Sequence, residues 1–249
     1  MVSTMDSVPM RSAVARRREE RAMTERPGVL VFDVNETLLD IESLTPHFER
    51  VFGDPAVLRE WFGQLVLYSM TATLSRRYVD LFTLGAGVLG MLADVHGVPL
   101  TAADRAGLTA AMAAMPAHPD VTDGLTALRD NGFRLVTLTN SPLSPDGRSP
   151  LDRAGLGEYF ERQFSVDTCR TYKPDPAVYL FVCRGLGIEP AEAMMVAAHV
   201  WDTVGAQSAG MQGALITRPG NAELPVDGLP QPNLVAADVR QLAGRLGAA

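Results

Sequence analysis

Phe32-Asp33-Val34-Asn35-Glu36-Thr37-Leu38-Leu39-Asp40 follows directly on Val29-Leu30-Val31. The apolar run reads as a fully buried strand. It ends on an aspartate, so a carboxylate stands at the C-terminal rim of a sheet. That rim is where open α/β folds place their ligands. Taken alone, Asp33 reads equally well as a cap for the next segment. The rest of the chain separates the two readings.

Working outward, three later segments each bring chemistry to a strand end or a loop. Leu135-Val136-Thr137-Leu138-Thr139-Asn140 is an apolar strand closing on a hydroxyl and an amide. Tyr172-Lys173-Pro174-Asp175-Pro176-Ala177-Val178-Tyr179 supplies a lysine before a turn. Met194-Met195-Val196-Ala197-Ala198-His199-Val200-Trp201-Asp202 is a further strand ending in His and Asp. Between them lie helical patterns over Asp123–Arg129, Leu151–Ala154, Val178–Leu186 and Val204–Ala209, with a strand at Gly213–Ile216. Strands alternating with helices predict an α/β fold, a Rossmann-like doubly wound parallel sheet.

Residues 43–117 break that alternation. Trp61, Leu65 and Tyr68 recur at helical spacing, as do Val88, Met91, Leu92 and Val95. The block reads as an inserted helical cap domain. The core domain is then 28–42 and 118–249, and Pro219 to Pro232, rich in Gly and Pro, is a loop. Residues 1–27 carry six arginines against four acids, with little apolar periodicity, and end at Pro27-Gly28. They read as a disordered or frayed tail.

The 249 residues are 47% hydrophobic and carry a net charge of −7. There is no basic footprint for nucleic acid. A small anionic substrate must be met by local positive groups. The two cysteines, Cys169 and Cys183, exclude a disulfide scaffold and have no zinc spacing. No apolar run reaches the roughly 18 residues of a bilayer span. No secretory h-region opens the chain. The expected location is cytoplasmic.

The four motifs, in this order, resemble the haloacid dehalogenase superfamily over roughly residues 28–220. The resemblance implies that Asp33 is a nucleophile forming an ester with the substrate. Magnesium-dependent phosphatases of that superfamily place a second Asp two residues after the nucleophile and a paired acidic motif at the last strand. Here those positions hold Asn35 and Ala197-Ala198-His199, with Asp202 the one acid. A hard cation wants several oxygen ligands, so no metal and no cofactor are expected. The pattern is closer to the L-2-haloacid dehalogenase branch, whose members act on small haloacids and are often homodimers. By position in that branch, Thr139 and Lys173 would meet the substrate carboxylate, and Asn140 would face the departing halide. Tyr179 and Asp202 would support Lys173 and the nucleophile, and Trp201 would close an apolar wall. The alternatives are a surface lysine at 173, a core tyrosine at 179 and a packing tryptophan at 201.

Three departures stand out. The branch places an arginine for the halide at the position occupied by Phe62. It has glycine where this chain has Glu36, and asparagine where it has His199. The last two flank the nucleophile from two loops. An acid beside an imidazole makes a base held in one tautomer, and ester hydrolysis needs such a base. Glu36 is therefore expected to orient His199. The alternative is a solvated loop acid and a polar filler. His47, His96 and His118, and likewise Arg76 and Arg77, read as surface or cap residues. Two other functions remain in view, a phosphatase acting through Asp33 and a catalytically silent member of the fold that binds a partner.

Overall fold

Val29–Phe32 forms β1, and all four side chains are buried. A strand so apolar on both faces needs neighbours on both edges and helices above and below. It pairs in parallel with β2 (Arg134–Thr139) and with a strand at Ala193–Ala197. The computed structural model describes residues 26–142 and 148–247. In it, β3 (Arg162–Ser165), β4 (Ala193–Ala197), β5 (Gln212–Ile216) and β6 (Leu234–Ala236) complete one parallel sheet in the order β3-β2-β1-β4-β5-β6. The direction of winding reverses between β1 and β4. Such a switch point leaves a crevice beyond the strand ends, and Asp33 and Ala198-His199 emerge there.

The chain after β1 turns through Ile41–Leu44 into four helices: α1 (Thr45–Phe52), α2 (Val57–Leu74), α3 (Leu81–His96) and α4 (Ala102–Ala113). Asp80 caps α3 by accepting from the backbone N–H groups of Phe82 and Thr83, and left-handed Gly97 ends it. Thr101 and Asp104 cap α4 reciprocally. Trp61 on α2 is fully buried and donates its indole N–H to Gly85 O on α3 at 3.0 Å. The entering and leaving connections run side by side. His118 N–H donates to Leu38 O at 3.0 Å, and Asp40 N–H to Pro116 O at 2.8 Å.

The sheet is covered by α5 (Val121–Asp130), α6 (Pro150–Arg153), α7 (Pro176–Leu186), α8 (Val200–Ser208) and α9 (Val239–Gly247). The helix expected at Val204 begins at Val200, because the chain turns into α8 straight after His199. β3, β6 and α9 had no counterpart in the sequence reading. Both strands are short and lie at the sheet edges, where partial exposure blurs any pattern. The expectation for the tail falls outside the described residues, apart from Arg26 and Pro27. Arg26 lies over the Phe133 ring at 4.3 Å. Among the described residues no helix is long and apolar enough to cross a membrane.

α5 and α9 meet at Gly124. A Cβ there would stand 2.7 Å from the backbone carbon of Val239. Gly124→Ala gains about 1 kcal/mol of helix propensity. The clash is with backbone, which cannot turn aside, and overpacking of this kind costs about 1–3 kcal/mol. The net expected result is a melting temperature lower by a few degrees in a calorimetric scan. An unchanged value would show that α9 is docked loosely.

Candidate active site

Asp33 lies in the first turn beyond β1, anchored by its backbone N–H to Val196 O at 3.0 Å. Thr37 closes the loop. Its hydroxyl donates to Asp33 Oδ2 at 2.7 Å and accepts the backbone N–H of Ala198 at 2.9 Å. This one side chain ties the loop after β1 to the loop after β4. Thr37 O is held in turn by buried Arg218, which also pairs with Asp120 at 2.6 Å.

Lys173 is fully buried, and its Nζ donates to Asp33 Oδ1 at 2.7 Å, Asp202 Oδ2 at 2.6 Å and Leu138 O at 3.0 Å. An ammonium has three donors, and all three are taken. Asp202 Oδ1 accepts the Tyr179 hydroxyl at 2.6 Å. Burial works against the charged form of Asp33, but Lys173, followed by His199, outweighs it and holds the carboxyl well below the usual range. Burial likewise disfavours charged Lys173, and Asp202 and Asp33 more than compensate, so its pKa rises. Asp33 is thus an ionised carboxylate fixed by one hydroxyl and one ammonium.

Glu36 and His199 are in contact. His199 Nε2 bonds Glu36 Oε2 at 2.8 Å, and both side chains are buried. Nδ1 faces Asp33 Oδ2 at 3.8 Å, too far for a hydrogen bond, and has no partner among the described residues. The ring lies between two others. Trp201 stacks on it with centroids 4.9 Å apart, and Phe62 stands at 5.5 Å. Burial alone would lower the His199 pKa, but the carboxylates of Asp33 and Glu36 overcome it and push the ring up to about 9. Glu36 has φ 67°, the left-handed region. A non-glycine there costs of order 1–3 kcal/mol. The contacts to its carboxylate hold it in place.

A cavity opens between the sheet rim and the helical insertion. Asp33, Asn35, Asn140 and His199 supply its polar end. Phe62, Leu65, Val66, Leu81, Met115 and Trp201 supply apolar wall. Asn140 Oδ1 accepts the backbone N–H of Lys173 at 3.2 Å, so its Nδ2 donors are what it can offer a ligand. Asn35 turns its amide to Ser141 Oγ at 3.2 Å. Among the described residues, no group of three or more His, Cys, Asp or Glu side chains is arranged to hold a metal ion.

The structure brings Asp33, Glu36, Lys173, His199, Asn140, Phe62 and Trp201 to one place, with Tyr179 and Asp202 behind Lys173. It does not bring Thr139 onto the cavity. Thr139 faces a neighbouring small pocket, and its hydroxyl accepts Ser141 N–H at 3.1 Å. Nor does it leave Lys173 a donor for a substrate carboxylate. His118 is half-buried beneath the site and bonds Glu36 O through Nε2 at 3.1 Å, where a surface or cap position was expected. Arg76 and Arg77 are exposed. Sequence reading missed Arg59, Asn221, Thr37 and Arg218. Thr37 lay inside the quoted motif, and Arg218 follows β5 at the rim, a place that could have marked it. Arg59 is one helix arginine among several and carries no local signal.

Residues 28–210 match the family of haloacid dehalogenase-like hydrolases. Over 190 residues the chain is 32% identical to (S)-2-haloacid dehalogenase 1 of Pseudomonas sp. strain CBS-3, covering 76% of this chain and 83% of the relative. It is 29% identical over 234 residues to phosphoglycolate phosphatase 1 of Pseudomonas aeruginosa, 88% of this chain and 79% of the relative. The solved L-2-haloacid dehalogenase of Xanthobacter autotrophicus, with chloropropionic acid covalently bound, shares the fold. Its TM-score is 0.77 at 23% identity, covering 88% of this chain and 97% of that one.

Proposed function

Because the chain belongs to the haloacid dehalogenase-like hydrolase family, we propose that it hydrolyses short L-2-haloalkanoic acids to 2-hydroxy acids through an ester on Asp33. The carrying observation is the orientation of His199. Nε2 is committed to Glu36, which leaves Nδ1 without a partner among the described residues and facing the nucleophile.

The chemistry proceeds in two steps. An Asp33 oxygen attacks C2 of the substrate, the carbon–halogen bond breaks, and the halide leaves with the electron pair. No leaving-group acid is required. Lys173 keeps Asp33 ionised and aimed. Asn140, Phe62 and Trp201 line the cavity around Asp33 and are the groups assigned to receive the departing halide. Water then attacks the ester carbonyl carbon and yields its proton to Nδ1 of His199. Glu36 fixes the tautomer and stabilises the imidazolium that forms. Collapse expels the 2-hydroxy acid as an alkoxide that recovers the proton from His199, and the Asp33 carboxyl, left with the second proton of the water, passes it to His199 Nδ1 and on to solvent to return as the carboxylate. Tyr179 and Asp202 position Lys173.

This reading is favoured over a phosphatase by two features. The residue two after the nucleophile is an amide, not an acid. The cavity wall is apolar, which suits an alkyl halide and penalises a phosphate dianion. The helical insertion, residues 43–117, forms the cap over the substrate. Its exposed apolar residues Leu67, Tyr68 and Leu74 on α2 support pairing into a homodimer. The free thiols Cys169 and Cys183 suit a reducing cytoplasm.

The test is halide release from the two enantiomers of 2-chloropropionate, with and without EDTA. Release from the L enantiomer, unaffected by chelation, is expected. Phosphate release from phosphoglycolate, abolished by EDTA, would replace this reading with the phosphatase.

A further inference from the structure

The two oxygens of Glu36 have separate partners. Oε2 holds His199. Oε1 accepts Arg59 Nη1 and, at 2.9 Å, Asn221 Nδ2. These groups come from three parts of the molecule. Glu36 follows β1, Arg59 stands on α2 of the insertion, and Asn221 is in the loop after β5. The guanidinium also bonds Glu42 and, at 3.2 Å, Pro219 O. Gly220, with φ 86°, lets that loop fold closely: a Cβ there would stand 3.4 Å from Arg59 Nη2.

We infer that Arg59 is a positioning residue for the hydrolytic half-reaction: from the insertion it grips Oε1 of Glu36, so that the base is complete only while α2 is seated on the core. The inference rests on the Glu36–His199 reading above. A carboxylate torsion is soft and roughly two-fold, so Oε2 stays on His199 only if Oε1 is also held. Arg59 is partly exposed and so is Glu42, and that outer pair contributes little. The contact to Glu36 is different, because the acceptor is buried and charged.

Arg59 also sets charge balance. The charged and titratable groups around His199 are Asp33 and Glu36, with Lys173 beyond Trp201 and Arg59 beyond Glu36. The His118 ring meets Glu36 at its backbone carbonyl, not at its carboxylate. The guanidinium offsets the pull of Glu36 on the imidazole proton. Without it the Glu36 carboxylate stays beside the ring uncompensated even when Oε2 turns off Nε2, so His199 holds its proton to higher pH.

The experiment is rapid-quench kinetics of full-length Arg59→Met, Arg59→Lys and Glu36→Gln with L-2-bromopropionate across pH. It follows bromide release in the first turnover and decay of the Asp33 ester separately. Methionine keeps an apolar stem at a part-exposed site, and a melting scan verifies the fold. Arg59→Met is expected to retain the bromide burst and to hydrolyse the ester about ten- to a hundredfold more slowly, the range for losing a hydrogen bond to a charged group. Its acid limb should move to higher pH. Arg59→Lys keeps the charge, so its limb should stay in place and part of the rate should return. A uniform loss of both steps with an unmoved limb would mean that Arg59 merely seats the insertion. Wild-type ester decay in Arg59→Met would overturn the inference in favour of Asn221 alone. If Glu36→Gln itself leaves ester decay intact, the dyad fails whatever Arg59 does. If Glu36→Gln slows decay and Arg59→Met does not, only the Arg59 inference falls.

Discussion

Asp33→Asn is expected to lose at least about three orders of magnitude in steady-state halide release, the scale for removing a nucleophile, while keeping its fold. An amide oxygen is a poor nucleophile and cannot form the ester. The fold should survive because of the local charge count. In the wild type, Asp33 and Asp202 share one buried ammonium. Burial, and then the Asp33 charge acting against Lys173, raises the Asp202 pKa. Removing the Asp33 charge leaves a one-to-one pair of Lys173 and Asp202. The Asn carbonyl can still accept from Nζ, and its NH2 can face the Thr37 hydroxyl. Ion chromatography of released halide and a melting curve check the two halves. Activity above about a tenth of wild type would refute covalent catalysis by Asp33.

His199→Ala should separate the half-reactions. Displacement by Asp33 needs no base, so a single turnover of halide release should persist. Ester hydrolysis should fall by about 10²–10⁴, the usual contribution of a positioned base. The ester should then accumulate as a mass increase on the peptide containing Asp33. The wild-type pH profile follows from the same geometry. In the resting enzyme the two carboxylates outweigh burial and hold His199 at about 9. Esterification removes the charge of Asp33 and leaves that of Glu36. The proton is then held less tightly, so the limb for ester decay should lie below the resting value. The base must be neutral, so decay should rise with pH through that limb and level off above it. The burst should stay flat over the same range, because Asp33 remains ionised throughout. Loss of the burst in His199→Ala would instead assign His199 to substrate binding.

The legible part of this protein is local. Val29–Phe32, Leu135–Thr139 and Ala193–Ala197 announce themselves as strands because they are apolar on both faces, which a doubly covered sheet demands. Their ends carry Asp33, Asn140 and His199, so the rim rule finds the site once the parallel sheet is inferred. The helical insertion is legible from its spacing of large apolar residues. The edge strands β3 and β6 are not, since four and three residues with partly exposed faces carry too little pattern.

Local residue pattern suffices for the sheet, for the order of its motifs and for the residue types that reach its rim. Tertiary structure alone decided their partners. Glu36 meets His199 across 163 positions and Asn221 across 185, because β4 pairs with β1 and β5 follows on the far side of β4. It decided that Lys173 spends every donor on Asp33, Asp202 and Leu138 O. It also turned an unmarked helix arginine, Arg59, onto the buried oxygen of Glu36. Periodicity reports which face of an element is buried. It does not report which buried atom will lie opposite, since that depends on strand order and on how the inserted helices seat against the rim.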